Sequence, residues 1–146
     1  MDIKSHESFF EFSNPELLRS VFVVNPDFSS NEKDESQMSI SSRVMFPKRN
    51  DENSTKKHAV VQVTVGNQAD LSFKNNEPYF LEVSMGAKFL WPKEIEKETF
   101  ETLLNNNAPL LLLSYIRPIV SEVTEKSRYN TVHIPFIDFA HADNND

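Results

Sequence analysis

Between Tyr79 and Trp91 the apolar side chains fall on every odd position: Tyr79, Leu81, Val83, Met85, Ala87, Phe89 and Trp91. Phe80, Glu82, Ser84, Gly86, Lys88 and Leu90 stand between them. Period two is the mark of a strand with one buried face. A slip of one residue would turn the whole odd set outward, so the register is well determined. The same odd phase occurs earlier at Val61, Val63 and Val65, then after Gly66 at Ala69, Leu71 and Phe73. A glycine inside such a run reads as a bulge or strong bend rather than an end. Met38, Ile40, Val44 and Phe46 alternate on even positions and predict a strand within residues 37–46. Val21 to Val24, after the Asn14-Pro15 break, are β-branched and aromatic and predict the first strand. Residues 25–36 and the charged stretch 47–57 read as loops.

After Pro92 the period changes. Ile95, Thr99, Phe100 and Leu103 keep a helical spacing, and Asn105 to Asn107 are expected to break that helix. A longer helix follows, with Leu112, Ile116, Ile119 and Val123 as its buried stripe and Tyr115 and Val120 beside them. Pro109 suits the first turn, where an amide would lack an intrahelical partner. Pro118 deletes the bond to the Ser114 carbonyl, costs on the order of 3 kcal/mol, and predicts a bend near Ser114. The chain then reads as an extended apolar tail through Phe139, split by Pro135. The expected fold is a single α+β domain, residues 1–146, in which a four-stranded antiparallel sheet is followed by two helices. Segments 1–8 and 140–146 are expected to be frayed. Consecutive strands should pair antiparallel, one sheet face should pack on the helices, and the other should be largely exposed in a single copy.

Composition narrows the chemistry. A net charge of −7 leaves no basic footprint for nucleic acid or anionic lipid. The run Leu110 to Leu113 is far too short for a bilayer, which takes about 20 apolar residues, so no direct membrane insertion is expected. The N-terminus lacks a charged-then-apolar leader pattern, and cytoplasm is the default expectation. The absence of cysteine removes disulfides, thiolate zinc sites and thiol nucleophiles. Only Gly66 and Gly86 are glycine, so no phosphate-cradling loop can be written. His6, His58, His133 and His141 have no acidic ligand at a metal-binding spacing. Glu94, Glu96, Glu98 and Glu101 look like a solvated helix face. No Gly-x-Ser-x-Gly elbow supports a serine triad, whose members would meet only in space. The expectation is therefore no enzyme, no metal and no cofactor. What remains is an apolar surplus, with twelve phenylalanines, three tyrosines and one tryptophan. Such a surplus is covered either by another copy or by extended apolar segments of other proteins lying in a groove.

The strand Y-F-L-E-V-S-M-G-A-K-F-L-W at 79–91 and the segment 108–139 together resemble the SecB export chaperones. The shared features are an E-V-x-x-G-x-F strand, Pro109, Tyr115 and Arg117 on the helix, and an aromatic turn leading into a proline-containing F-x-D-F tail. The resemblance runs from about Phe10 onward and is most specific in the second half. It implies a dimer of dimers, a homotetramer, that holds unfolded preproteins in hydrophobic grooves without ATP and hands them to the motor SecA. By position it implies client contacts at Met38 and Ile40, and by neighbourhood at Phe28, Val44 and Phe46. It implies motor docking at Glu82 with Phe80 beside it, and an oligomer interface at Leu81, Val83, Met85, Tyr115 and Ile119. Two departures bear on docking. Ser20 and Val24 are uncharged where the family carries further acidic residues, and the chain stops seven residues after Phe139, short of the family's C-terminal helix. Shortened relatives include chaperones that shield the antitoxin of a toxin–antitoxin module, a second expectation for this chain. A small ligand-binding domain or enzyme using the polar sheet face is the alternative from another class.

Overall fold

A computed structural model describes residues 10–29, 37–49, 53–67, 71–73 and 76–140. Among the described residues five strands form one sheet: β1 (Glu11–Phe12), β2 (Glu16–Val24), β3 (Ser39–Met45), β4 (Lys56–Gly66) and β5 (Tyr79–Pro92). Helix α1 (Lys97–Thr102) continues through a π-helical turn, Leu103–Asn107, into α2 (Ala108–Glu125). Of the segments expected to be frayed, 1–8 and 140–146, all but Ala140 lie outside the described residues, His6 and His141 included.

Every strand pairing is antiparallel. β3, β4 and β5 follow one another across the sheet, as consecutive strands should. The first lane departs from that rule. β1 and β2 both pair with β5, on the edge opposite β4, so the first and second lanes of the sequence end up at opposite sides of the sheet. β5 takes the central position because it is long and apolar enough to be flanked along both edges. β1 and β2 are one lane interrupted at Asn14-Pro15, and Ser13 bridges the gap through both its amide and its hydroxyl to Lys88.

The odd phase of β4 and β5 is the core. Ala59, Val61, Val63, Val65, Tyr79, Leu81, Val83, Met85, Ala87, Phe89 and Trp91 are all buried. Val63 pairs with Met85 and Val65 with Val83, so the two odd sets share one face. α2 lies over these two strands. Its buried residues are Leu112, Leu113, Ile116, Val120 and Thr124, together with Ala108 and Pro109 at its start. The stripe is therefore rotated from the expected one: Ile119 and Val123 sit at its half-buried flank, and Tyr115 is 43% exposed.

Two punctuation marks differ from their sequence reading. Gly66 ends β4 instead of bending it, because the Asn67 side chain takes over the next rung. Its amide donates to the Tyr79 carbonyl at 2.6 Å and its oxygen accepts the Leu81 N–H at 2.8 Å. Leu71 is half-exposed and Phe73 has φ 53°, and residues 71–73 are not strand; Ala69 lies outside the described residues. Asn105 to Asn107 do not break the helix either. The Ala108 N–H reaches back five residues to the Leu103 carbonyl, and this widened turn keeps Leu103 and Leu104 buried while the asparagines point outward or sit at the edge.

The outer sheet face is less open than expected for a single copy. Phe80 and Ser84 are 2% and 3% exposed. Gln62 and Thr64 both bond the Ser84 hydroxyl, at 3.0 and 2.8 Å, in a small polar cluster at its centre. Gly86 leaves room there for Leu18, whose Cδ1 would lie 3.1 Å from an added Cβ.

Candidate functional site

α2 covers β4 and β5, and the edge strand β3 meets the π-helical turn instead. Met38, Ile40 and Val44, at even spacing, are half-buried there and pack against the core. Ser42 points the same way, since it pairs with Val63, and its small side chain leaves the centre of this surface low. Ser41 pairs with Thr64 on the opposite face, so what it brings to this side is main chain at the sheet's free edge. The far wall is the C-terminal tail, through Ile137 and Phe139, and Asn105 of the π-helical turn also lines it. Together these enclose an open groove of about 740 Å³.

The tail is folded back by bonds from α2. The buried Thr124 hydroxyl accepts the Val132 N–H at 2.9 Å and donates to the Val120 carbonyl at 2.8 Å. Arg117 donates from Nε to the Ile134 carbonyl at 3.2 Å and from a terminal nitrogen to the Pro135 carbonyl at 2.9 Å. Ile134, at 9% exposure, anchors the segment in the core. Where the tail leaves the helix, the Tyr129 ring packs tilted against Tyr79 at 5.6 Å, and Tyr79 in turn meets Phe22 at 5.1 Å. The groove's chemistry is simple. Among the described residues its lining carries no ionisable group and presents apolar side chains with a few hydroxyl, amide and main-chain groups. Among the described residues no three carboxylates and histidines stand close enough to hold a metal.

The residues expected at functional positions are distributed unevenly. Met38, Ile40 and Val44 meet in the groove. Phe28 does not join them; it packs edge-on against Tyr129 at 5.9 Å and helps hold the start of the tail. Phe46 lies beyond the end of β3, outside the groove lining, and is 60% exposed. Phe80 is buried, so its ring is not available to a docking partner. Glu82 is in an ion pair with Arg19 at 2.6 Å. Leu81, Val83 and Met85 are buried in this chain's own core. Tyr115 is exposed on α2, and Ile119 is half-buried at the flank of its stripe. Sequence reasoning missed Ile137, Phe139 and Asn105 as groove residues. The spacing of two between Ile137 and Phe139 was the available signal, but it does not say which surface an extended tail will meet.

Compared with known protein families, residues 22–142 match the model described as preprotein translocase subunit SecB. A search of curated proteins finds no match. Among solved structures, the chain is similar to a SecB-like chaperone of Mycobacterium tuberculosis in complex with a ChAD peptide from the HigA1 antitoxin. That similarity has a TM-score of 0.56 at 14% identity and covers 88% of this chain and 90% of that one. It is also similar to a protein of unknown function from Streptococcus agalactiae, with a TM-score of 0.52 at 12% identity, covering 87% and 97%.

Proposed function

We propose that this chain, which belongs to the SecB family, is a chaperone that works as an ATP-independent holdase for unfolded preproteins. The observation that carries the reading is the groove between β3 and the tail, where Met38, Ile40, Val44, Ile137 and Phe139 supply apolar surface around Ser42. An extended client would lay alternate side chains over Met38, Ile40 and Val44. Each apolar patch contributes about 25 cal/mol per Å² buried, before the cost of ordering the client. One groove is therefore a weak site, and affinity would come from several grooves on one homotetramer engaging one long chain. Tyr115, on the outer side of α2, fits a place in that assembly, and the cytoplasm fits a holdase that meets clients before export.

Delivery to the Sec machinery through SecA is the finer part of this reading, and the local charges favour it less. Glu82 already has Arg19 as a partner, and Ser20 and Val24 add no acid nearby. The second reading, a chaperone dedicated to an antitoxin, is favoured by the similarity to a SecB-like chaperone that holds an antitoxin peptide. Purified protein should slow aggregation of a denatured preprotein with no nucleotide present, and Met38→Asp with Ile40→Asp should abolish that protection while circular dichroism stays native. Full protection by the double mutant would remove the groove from the mechanism. The same assay with unrelated preproteins separates the two readings, since a dedicated chaperone protects few of them.

A further inference from the structure

We infer that Arg117 is a positioning residue of the groove: it fixes the C-terminal tail in place as the second wall. The inference rests on the groove being the binding site proposed above. Two of the residues lining the groove, Ile137 and Phe139, belong to a segment that is neither strand nor helix. Pro135 has no N–H, so the tail cannot be secured there by a ladder of main-chain bonds as a strand would be. The carbonyls just before the wall residues, those of Ile134 and Pro135, are instead held from α2 by one guanidinium, at 3.2 and 2.9 Å. A planar fork with several fixed donors can span two successive carbonyls, and an ammonium on a flexible stem cannot hold both in one geometry. Arg117 itself does not line the groove. It therefore acts on an occupant only through the position of Ile137 and Phe139.

The test uses the full chain, a fluorescein-labelled peptide of alternating leucine and serine read by anisotropy, and amide hydrogen exchange. Arg117→Ala should speed exchange across residues 132–139, leave the core amides of β4 and β5 protected, and weaken the peptide about tenfold, the scale set by losing charge-assisted hydrogen bonds. Arg117→Lys should fall between wild type and Arg117→Ala in exchange. It also keeps the test valid if the alanine variant does not fold. Ile137→Ala should weaken the peptide too, and the double variant should be little worse than either single one, because both changes remove the same wall. Additive losses, or a tail that stays protected without the guanidinium, would overturn the inference. If wild type binds no peptide and protects no client, the holdase reading fails, while the exchange data still decide whether Arg117 holds the tail.

Discussion

Thr124 is a polar residue at a position where the helix otherwise buries aliphatic side chains, and it is 0% exposed. Valine has nearly its shape, so Thr124→Val removes the hydroxyl with little change in packing. The lost donor matters little, because the Val120 carbonyl keeps the intrahelical partner of a normal α-helix. The lost acceptor matters more. The Val132 N–H, bonded at 2.9 Å to that hydroxyl, would be left without a partner in a partly buried place. An orphaned buried donor costs about 1–3 kcal/mol. For a domain of this size that corresponds to a fall in Tm of roughly 3–10 °C. Trp91 is the only tryptophan and is 2% exposed, so its fluorescence reports the melt without a label. Thr124→Ser is the control: it keeps the hydroxyl and loses one methyl, worth about 0.8 kcal/mol. The expected order of stability is wild type, then serine, then valine. A valine variant as stable as wild type would show that the tail is not held by this bond.

Two further substitutions separate core from surface. Leu112→Ala, at 0% exposure beneath β4 and β5, should cost about 2–5 kcal/mol in a urea melt with the m-value unchanged. Arg19→Ala breaks the ion pair with Glu82, whose side chains are 57% and 29% exposed, and should change stability by less than about 1 kcal/mol. If SecA docks here, freeing Glu82 should strengthen that contact in calorimetry, and no change would count against Glu82 as the docking acid.

The central pair of strands was legible because its two faces differ at almost every residue. Val61, Val63 and Val65 on β4 and the seven odd residues of β5 leave one possible register. β2 was harder, since apolar residues lie on both of its faces. Phe22 turns inward opposite Leu81, and Val21 and Val23 turn outward opposite Glu82 and Phe80. With no contrast between faces, the partner of β2 could not be read. Gly66 ends its strand because of bonds from Asn67 to residues more than ten positions away. A local pattern carries no record of such a bond. The stripe of α2 was misplaced for a similar reason: Thr124 breaks the apolar period, and what permits its burial is an amide eight residues further on. The groove was half legible. Its floor follows from period two in β3, whereas its far wall depends on where a tail without regular structure is tied down.

The same shortage of covering explains both sides of the inner face. One helix covers two of four lanes, β4 and β5. The outer lanes therefore keep apolar side chains that the helix does not reach. On the β3 side the tail folds back over part of them, and the space it leaves is the groove. On the side of β1 and β2, Phe12, Leu17 and Val24 pair with Phe89, Met85 and Tyr79, so they face the same layer, yet they remain 48%, 49% and 40% exposed. A tail bonded at Arg117 and Thr124 can serve only one of the two lanes. The proposed homotetramer is the natural cover for the other, because large apolar area left on a single copy drives association. Binding and assembly would then draw on one cause at opposite edges of the sheet. A change at the groove edge, such as Met38→Asp with Ile40→Asp, should accordingly leave the oligomeric state intact.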